Sequence, residues 1–311
     1  MLDVVSIGEV LIDFGPNGLG KMGNPCFEMN PGGAPANVLV MNSRLGGKTG
    51  FIGMVGDDYF GHFLKHTLEE EGIDVRGLKM TQRACTTLVF VSLDEHGERE
   101  FSFVRKPGAD YLLEKKDVDR AVIDDAKMVH FGMATLTNSP GRETLFTSLD
   151  YAKNKNKRIS FDPNYRAHCW PDFEEAKRMA LMGLEYADIV KMSETEVELF
   201  LGYSVREVEK AAKYMLDMGK EAVFITLGGD GAYYASREGC GLAKSYPIQV
   251  VDTTGCGDAF MGTMHYMLSN RPEIPMAEAV KYANAAGAVC ATRMGGIPAM
   301  PTMEEIEKMM G

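Results

Sequence analysis

Short apolar runs rich in Val, Ile and Phe recur along this chain between longer amphipathic stretches. VVSIG, FIGMVG, MVHFG, RISFD, ADIVK and AVFITLG read as strands, and residues 58–71, 139–155, 172–185 and 205–219 carry the periodicity of helices packed on one face. The alternation predicts an α/β fold with a mostly parallel central sheet flanked by helices. Ligands of such sheets sit beyond the carboxyl ends of the strands.

Two segments break the alternation. Residues 10–30 and 84–105 read as strands without helices (VLIDFG, CFEMN, CTTLVFVSL, REFSFVR), the last two joined at the turn-like DEHGE. They predict a small β-sheet lid, inserted from about 10–30 and 84–110 into a single domain spanning 1–311. Exposed lid edges need cover, so a homodimer paired through the lid is expected.

Composition narrows the function. A chain of 311 residues with 45% hydrophobic content buries a sizeable core. There is no apolar run of about 18 residues, and MLDVVSIGEVLIDFG carries acids where a signal peptide would start with basic residues, so a cytoplasmic protein with no membrane partner is expected. The net charge of −11 is spread through the chain, which argues against nucleic acid. An anionic substrate would need local backbone dipoles, a few basic residues or a metal. The six cysteines are scattered, form no CxxC or Cys/His cluster and are expected to be reduced.

Two glycine patterns are decoys. GLGKMG at 18–23 matches GxGxxG but runs into Asn24-Pro25 instead of a helix whose N-terminus could face a pyrophosphate. GGKT at 46–49 has Asn42 where a phosphate-binding loop of the form GxxxxGK[ST] needs its first glycine. His130 sits in an apolar strand pattern, where a lone histidine reads as a satisfied core or site-lining residue.

VDTTGCGDAF at 251–260 carries stronger chemistry. Phe260, Met261, Met264, Met267 and Leu268 keep helical spacing, which starts a helix near Gly257 and leaves the N–H groups of Gly255, Cys256 and Gly257 at its positive end. Small residues let an anion approach that backbone, as a phosphoryl group in transfer requires. Asp258 in the first turn is either a reacting acid or a helix-stabilising one. GGAPANV at 32–38 is a second small-residue turn leading into a helix, with Asn37 on its first turn, and points to a second substrate.

GGAPAN together with DTTGCGDAF resembles the ribokinase-like (PfkB) family of sugar kinases. The likeness extends over essentially the whole chain through SIGEVLIDF, FIGMVGDDYFG, DPNYR, ADIVKMSETEVE, ITLGGDGA and NAAGAVCATRMGGIPAMP. REFSFVRKPGADYLL and DPNYRAHCWPDFEEA look most like fructokinases. The resemblance implies a ribokinase-like fold, with ATP and Mg²⁺ as cofactors and a small-molecule sugar as substrate. It makes Asp258 the general base and the Gly255–Gly257 backbone the anion hole. Asp13, Gly32, Gly33 and Asn37 match sugar-binding positions; Arg105, Asn164 and Arg166 match positions facing sugar or phosphate. Phe101 and Phe103 alternate in phase with Arg105 along the lid strand.

For the nucleotide, Thr226, Gly228, Gly231 and Asn284 match the ATP site, and Ser193 stands where ribokinases usually have Asn. Glu196 corresponds to an acid linked to Mg²⁺ through water, which suits an ion that prefers a few carboxylates, water and phosphate oxygens. Asp252, Thr254, Arg293 and Gly295 fall where many relatives bind a monovalent cation such as K⁺, although Ala299 lacks the hydroxyl some relatives use.

The expected reaction is ATP-dependent conversion of D-fructose to fructose 6-phosphate. A 2-keto-3-deoxygluconate kinase, or another sugar kinase of the family, is the nearest alternative, with Arg105 or Arg166 as partner for a substrate carboxylate. A catalytically inactive regulatory relative is disfavoured by the intact Asp258 and its flanking glycines. A thiol enzyme built on Cys256 has a helix N-terminus to activate it but no oriented base in the sequence nearby.

Overall fold

The computed structural model describes residues 1–93, 99–105 and 107–311, with the side chains of 92, 93 and 99–101 excepted. The DEHGE turn expected at 94–98 lies outside the described residues. In chain order the first elements are β1 (Leu2–Ile7), β2 (Leu11–Leu19), β3 (Pro25–Gly32), α1 (Ala34–Arg44), β4 (Thr49–Gly56), α2 (Tyr59–Glu70), β5 (Asp74–Thr81), β6 (Leu88–Leu93) and β7 (Arg99–Val104). They are followed by α3 (Arg120–Asp124), β8 (Ala126–Phe131), α4 (Gly141–Asn154), β9 (Arg158–Phe161), α5 (Phe173–Tyr186), β10 (Ile189–Ser193), α6 (Glu194–Leu201) and α7 (Val208–Asp217). The chain finishes with β11 (Ala222–Thr226), β12 (Ala232–Ser236), β13 (Gly239–Ala243), α8 (Cys256–Asn270), α9 (Met276–Cys290) and α10 (Met303–Met310).

The six apolar runs become the parallel core of a nine-stranded sheet in the order β13-β12-β11-β10-β9-β8-β1-β4-β5. Successive residues face opposite sides. Val4 and Met128 pack with α1 and α8, whereas Val5 and Val129 pack with α4 and α5, so each face carries its own core. Three strands were not anticipated. β5 is an edge strand with Arg76 and Lys79 among its residues, and β12 and β13 return antiparallel at the other edge, where GCGLA offers no apolar alternation.

β1 lies between β4 and β8, and the strand order runs outward from it in both directions. That reversal opens a crevice at the carboxyl ends of the strands. β2 leaves β1 through Gly8–Val10 and founds a second sheet, β3-β2-β6-β7, in which β2 pairs antiparallel with β3 and parallel with β6. The inner end of β2 is buried at Leu11 and Ile12, and its outer end is exposed at Leu19. GLGKMG is the end of β2 and the turn into β3, with no helix after it. No helix among the described residues is long and apolar enough to cross a membrane.

α1 and α8 cross closely on one face of the sheet. A Cβ at Gly262 would stand 2.5 Å from the Val38 carbonyl oxygen and 2.6 Å from Met41 Cβ, and Asn42 Nδ2 donates to the Gly262 carbonyl at 3.4 Å. This crossing sets the distance between the two N-terminal turns. Gly262→Leu is expected to destabilise the protein by about 1–3 kcal/mol through overpacking. Denaturant unfolding checks this, since the midpoint should fall below that of the parent chain.

Candidate active site

The N-terminal turns of α1 and α8 meet at Asp258. Asn37, one turn into α1, donates its Nδ2 to Asp258 Oδ2 at 2.8 Å, and Asn164 Nδ2 donates to Oδ1 at 3.2 Å. Asp258 is only 5% exposed. Burial raises its pKa above the ordinary aspartate value, against the Asn37 hydrogen bond and the attraction of Lys191 and Arg166. Two cavities of about 600 and 440 Å³ adjoin here, and Asn164, Arg166, Thr253, Gly255 and Asp258 line both.

The α8 turn is shaped for an anion. Gly255 is its N-cap with φ +79°, a left-handed conformation that favours glycine, and a Cβ there would stand 2.9 Å from Met300 Cε. Among the described residues no protein acceptor takes the N–H of Gly255, Gly257 or Asp258, whereas Cys256 N–H makes a long turn bond of 3.3 Å to Thr253 O. Free N–H groups at the positive end of a 15-residue helix form an anion cradle.

The larger cavity gathers most residues expected to face the sugar: Asp13, Gly33, Asn37, Phe103, Arg105, Asn164 and Arg166. Gly32 supports Asp13, because a Cβ at Gly32 would come within 2.5 Å of Asp13 Oδ2. Loss of water around Asp13 lifts its pKa to about 6, against the attraction of Arg166. Gly33 caps α1 at φ +108°, a conformation that favours glycine, and a Cβ there would stand 2.7 Å from Glu9 O. Phe103 packs against the His168 ring at 4.7 Å between centroids. The backbone of Phe101 lies in β7; its side chain is outside the described residues.

Arg105 falls one residue past β7 and is 5% exposed. Its guanidinium pairs with Asp110 and covers the Tyr111 ring at 4.0 Å, so it is tied into the cavity wall. Arg166 is exposed and lines both cavities, and its Nη1 donates to the neighbouring Tyr165 carbonyl at 3.0 Å.

The smaller cavity gathers the residues expected to face the nucleotide: Ser193, Glu196, Thr226, Gly228, Gly231 and Asn284. Ser193 and Glu196 form a capping box on α6, and Glu196 also accepts the Tyr165 N–H at 2.8 Å, which ties α6 to the DPNYR loop. Asn284 Nδ2 donates to Ala243 O at 2.8 Å and Lys244 O at 3.2 Å. Glu194, which sequence reading passed over, lines the same cavity with a buried Oε2 that has no hydrogen-bond partner among the described residues. That acceptor and Glu196 are chemically suited to an ion held mainly by phosphate and water oxygens.

Asp252 accepts the N–H groups of Thr254 at 2.8 Å and Gly295 at 3.1 Å and so joins the two loops expected to hold a monovalent cation. The Arg293 side chain pairs with Glu305 of α10 and leaves its backbone to contribute.

Among the described residues no histidine is bonded to Cys256: its Sγ donates to Asp252 O at 3.9 Å and it pairs with Cys290, whose thiol is pushed up by the Cys256 hydrogen bond and by burial. The buried histidines His130 and His265 both bond Ser160 Oγ, at 3.1 and 2.7 Å. Burial lowers the His130 pKa to about 3, so it is a neutral core residue.

Sequence reading missed Glu9, Asp162 and Lys191. Glu9 is buried in the wall of the larger cavity, and burial lifts its pKa to about 7 against the attraction of Arg105. Lys191 and Asp162 pair at 3.0 Å beside Gly257. The available signal was a lysine inside the otherwise apolar strand ADIVK, since lysine is almost never fully buried without a partner.

This chain belongs to the pfkB family of carbohydrate kinases, whose family model matches residues 1–303, and it is an ATP-dependent sugar kinase with a ribokinase-like fold. Fructokinase-1 of Oryza sativa subsp. japonica is 40% identical over 314 aligned residues, covering 99% of this chain and 97% of that protein. The fructokinase of Xylella fastidiosa with bound ATP superimposes with a TM-score of 0.87 at 31% identity, covering 100% of this chain and 98% of that one. A double mutant of the fructokinase of Vibrio cholerae O395, bound to fructose, ADP and potassium ion, gives 0.87 at 32% identity over 99% of this chain and 98% of that one.

The raised carboxylates predict the pH response. A carboxylate that must be ionised to act loses function as pH falls through its raised pKa, so kcat/KM for the sugar is expected to fall near pH 6, where Asp13 takes a proton. A pH–rate profile that stays flat down to about pH 4.5 would contradict this, because that limb belongs to an ordinary exposed carboxylate.

Proposed function

We propose that this protein phosphorylates D-fructose at its 6-hydroxyl with ATP, giving fructose 6-phosphate and ADP in the cytoplasm. The observation that carries the reading is the position of Asp258: at the junction of two cavities, buried, held by two side-chain amides and one residue from the free N–H groups of α8. The fructokinase relatives support fructose as the sugar, and the ATP-bound and fructose-bound neighbours support one cavity for each substrate.

The sugar occupies the larger cavity, with Asp13 accepting hydroxyl protons and Arg166 closing the side shared with the nucleotide. Asn37 and Asn164 spend their Nδ2 donors on Asp258, which fixes the carboxylate plane and keeps its lone pairs directed. The 6-hydroxyl oxygen attacks the γ-phosphorus, its proton passes to Asp258, and the bond to the β–γ bridging oxygen breaks to release ADP. A positioned carboxylate contributes about 10²–10⁴-fold to such a step. The free N–H groups of Gly255 and Gly257 stabilise charge on the transferring group without reorganisation.

Thr226, Gly228, Gly231 and Asn284 hold the nucleotide. Mg²⁺ bound there would neutralise phosphate charge, with Glu194 and Glu196 as the nearby carboxylates and water between. Asp252, Thr254 and the backbone of Arg293 and Gly295 form the monovalent-cation site in this reading, which the potassium-bound neighbour supports. The small sheet acts as the lid. Its exposed Leu19, Met22 and Phe27 support pairing of two lids in a dimer.

ADP release measured with fructose, ribose, 2-keto-3-deoxygluconate and tagatose 6-phosphate tests the reading. Fructose is expected to give the highest kcat/KM. A preference for 2-keto-3-deoxygluconate would reassign the substrate, and no turnover with any sugar would defeat the mechanism. Asp258→Asn is expected to lower kcat by about 10²-fold or more with the fold retained, whereas Cys256→Ala leaves it nearly unchanged. The reverse pattern would restore the thiol reading.

A further inference from the structure

The fold brings two free thiols together beneath the turn that starts α8. Cys256 is the first residue of α8 and Cys290 the last of α9. Cys290 Sγ donates to Thr254 O at 3.5 Å, and a Cβ on Gly255 would stand 3.7 Å from the same sulfur. One turn earlier on α9, a Cβ on Gly287 would stand 3.3 Å from Cys256 O. The end of α9 is therefore packed against residues 254–256, and the two thiols are hydrogen-bonded to each other.

The pair is asymmetric. Cys290 is fully buried, whereas Cys256 is half-buried and lines the smaller cavity, so a small oxidant entering that cavity meets Cys256 first. The Cys256 hydrogen bond and burial hold Cys290 in its protonated form. The thiolate is the nucleophilic form of a cysteine, so the first attack on an oxidant falls to Cys256 and leaves Cys290 as the second thiol.

Resting on the reading of the α8 turn as the anion cradle, we propose that Cys256 and Cys290 form an oxidative modification site, at which a peroxide converts the pair to a disulfide and switches the kinase off. The Cys256 sulfur attacks one oxygen of hydrogen peroxide and breaks the O–O bond, giving a sulfenic acid and one water. The Cys290 sulfur then attacks the Cys256 sulfur; its proton and the sulfenic hydroxyl leave as a second water, and the S–S bond closes. Each sulfur gives up one electron, and the peroxide takes both. A non-bonded contact thereby becomes a covalent bond, which draws the first turn of α8 toward α9. Gly255, Gly257 and Asp258 lie on that turn and move with it. Nucleotide in the smaller cavity covers Cys256, so the site responds to peroxide chiefly when that cavity is empty.

The test treats the parent chain with hydrogen peroxide, with and without AMP-PNP, follows sugar kinase activity, and maps the unreduced peptides by mass spectrometry. Peptide mapping is needed in place of a thiol count because Cys26, Cys85 and Cys240 are exposed and oxidise independently. A peptide joined through Cys256 and Cys290 is expected to rise in step with a loss of about 10²-fold in kcat, the effect of misplacing reacting groups by about 1 Å. Dithiothreitol should reverse both changes and AMP-PNP should slow both. Cys290→Ser keeps a donor for Thr254 O and is expected to match the parent's activity before oxidation. Its Cys256 stops at the sulfenic acid, so dimedone labels that residue more heavily than in the parent. Activity lost without the Cys256–Cys290 peptide overturns the proposal, as does full activity in a chain that carries it. Equal dimedone labelling of parent and variant also overturns it, because Cys290 then does not capture the sulfenic acid. The parent's peptide map decides the disulfide even if the variant does not fold. A parent chain inactive before oxidation defeats the kinase mechanism instead, and the same map still decides the disulfide.

Discussion

An ionised carboxylate taken out of water is costly unless donors and positive potential surround it, and the structure around Asp258 is organised by that requirement. The donors come from two different elements, Asn37 on α1 and Asn164 in the loop after β9. The positive potential comes from the start of α8 itself and from Lys191. Each contribution depends on a close approach that a larger side chain would block. Gly262 lets α1 and α8 touch, and Gly255 turns the chain into α8. The small residues of GCGD thus set distances, and the chemistry follows from those distances.

The same arrangement resolves an apparent conflict of charge. A chain with net charge −11 would not be expected to attract a polyanion. Here the positive groups are confined to one crevice, where Arg166 lines both cavities, Lys191 lines the smaller one, and free backbone N–H groups of the α8 turn lie between them. Acids at the same crevice carry raised pKa values because burial outweighs their partners, as at Glu9, Asp13 and Asp258. Electrostatic complementarity at this site is therefore local and owes nothing to the overall balance of the chain.

Legibility followed sequence distance. The strands of the parallel core were readable because each is a local apolar run, and the two helix starts because glycine and small residues cluster there. β5 and β13 were not readable because as edge strands they lack that apolar pattern, β13 being rich in glycine, and β12 is only the short run AYYAS between β11 and β13. Family motifs named Asn37 and Asp258 but gave Asn37 to the sugar. The contact between them joins residues 221 positions apart, and it makes Asn37 a donor to the acid as well as a wall of the cavity. Family motifs placed Arg105 toward sugar or phosphate, and it does line the larger cavity, but its ion pair with Asp110, in the short helical turn Ala109–Leu112, carried no sequence signal. The lysine in ADIVK pointed to a buried cation, but its partner Asp162 could not be named, because it follows β9 and only the sheet order sets β9 beside β10.

The central claim is that one carboxylate, at the meeting of two helix starts and two cavities, faces both substrates. A crystal structure with fructose and AMP-PNP bound tests it most directly. The account predicts the fructose 6-hydroxyl oxygen within about 2.6–3.2 Å of an Asp258 carboxylate oxygen, with the γ-phosphate against the first turn of α8. Fructose bound with its 6-hydroxyl away from Asp258, or a γ-phosphate that does not reach the Gly255–Gly257 backbone, would contradict it.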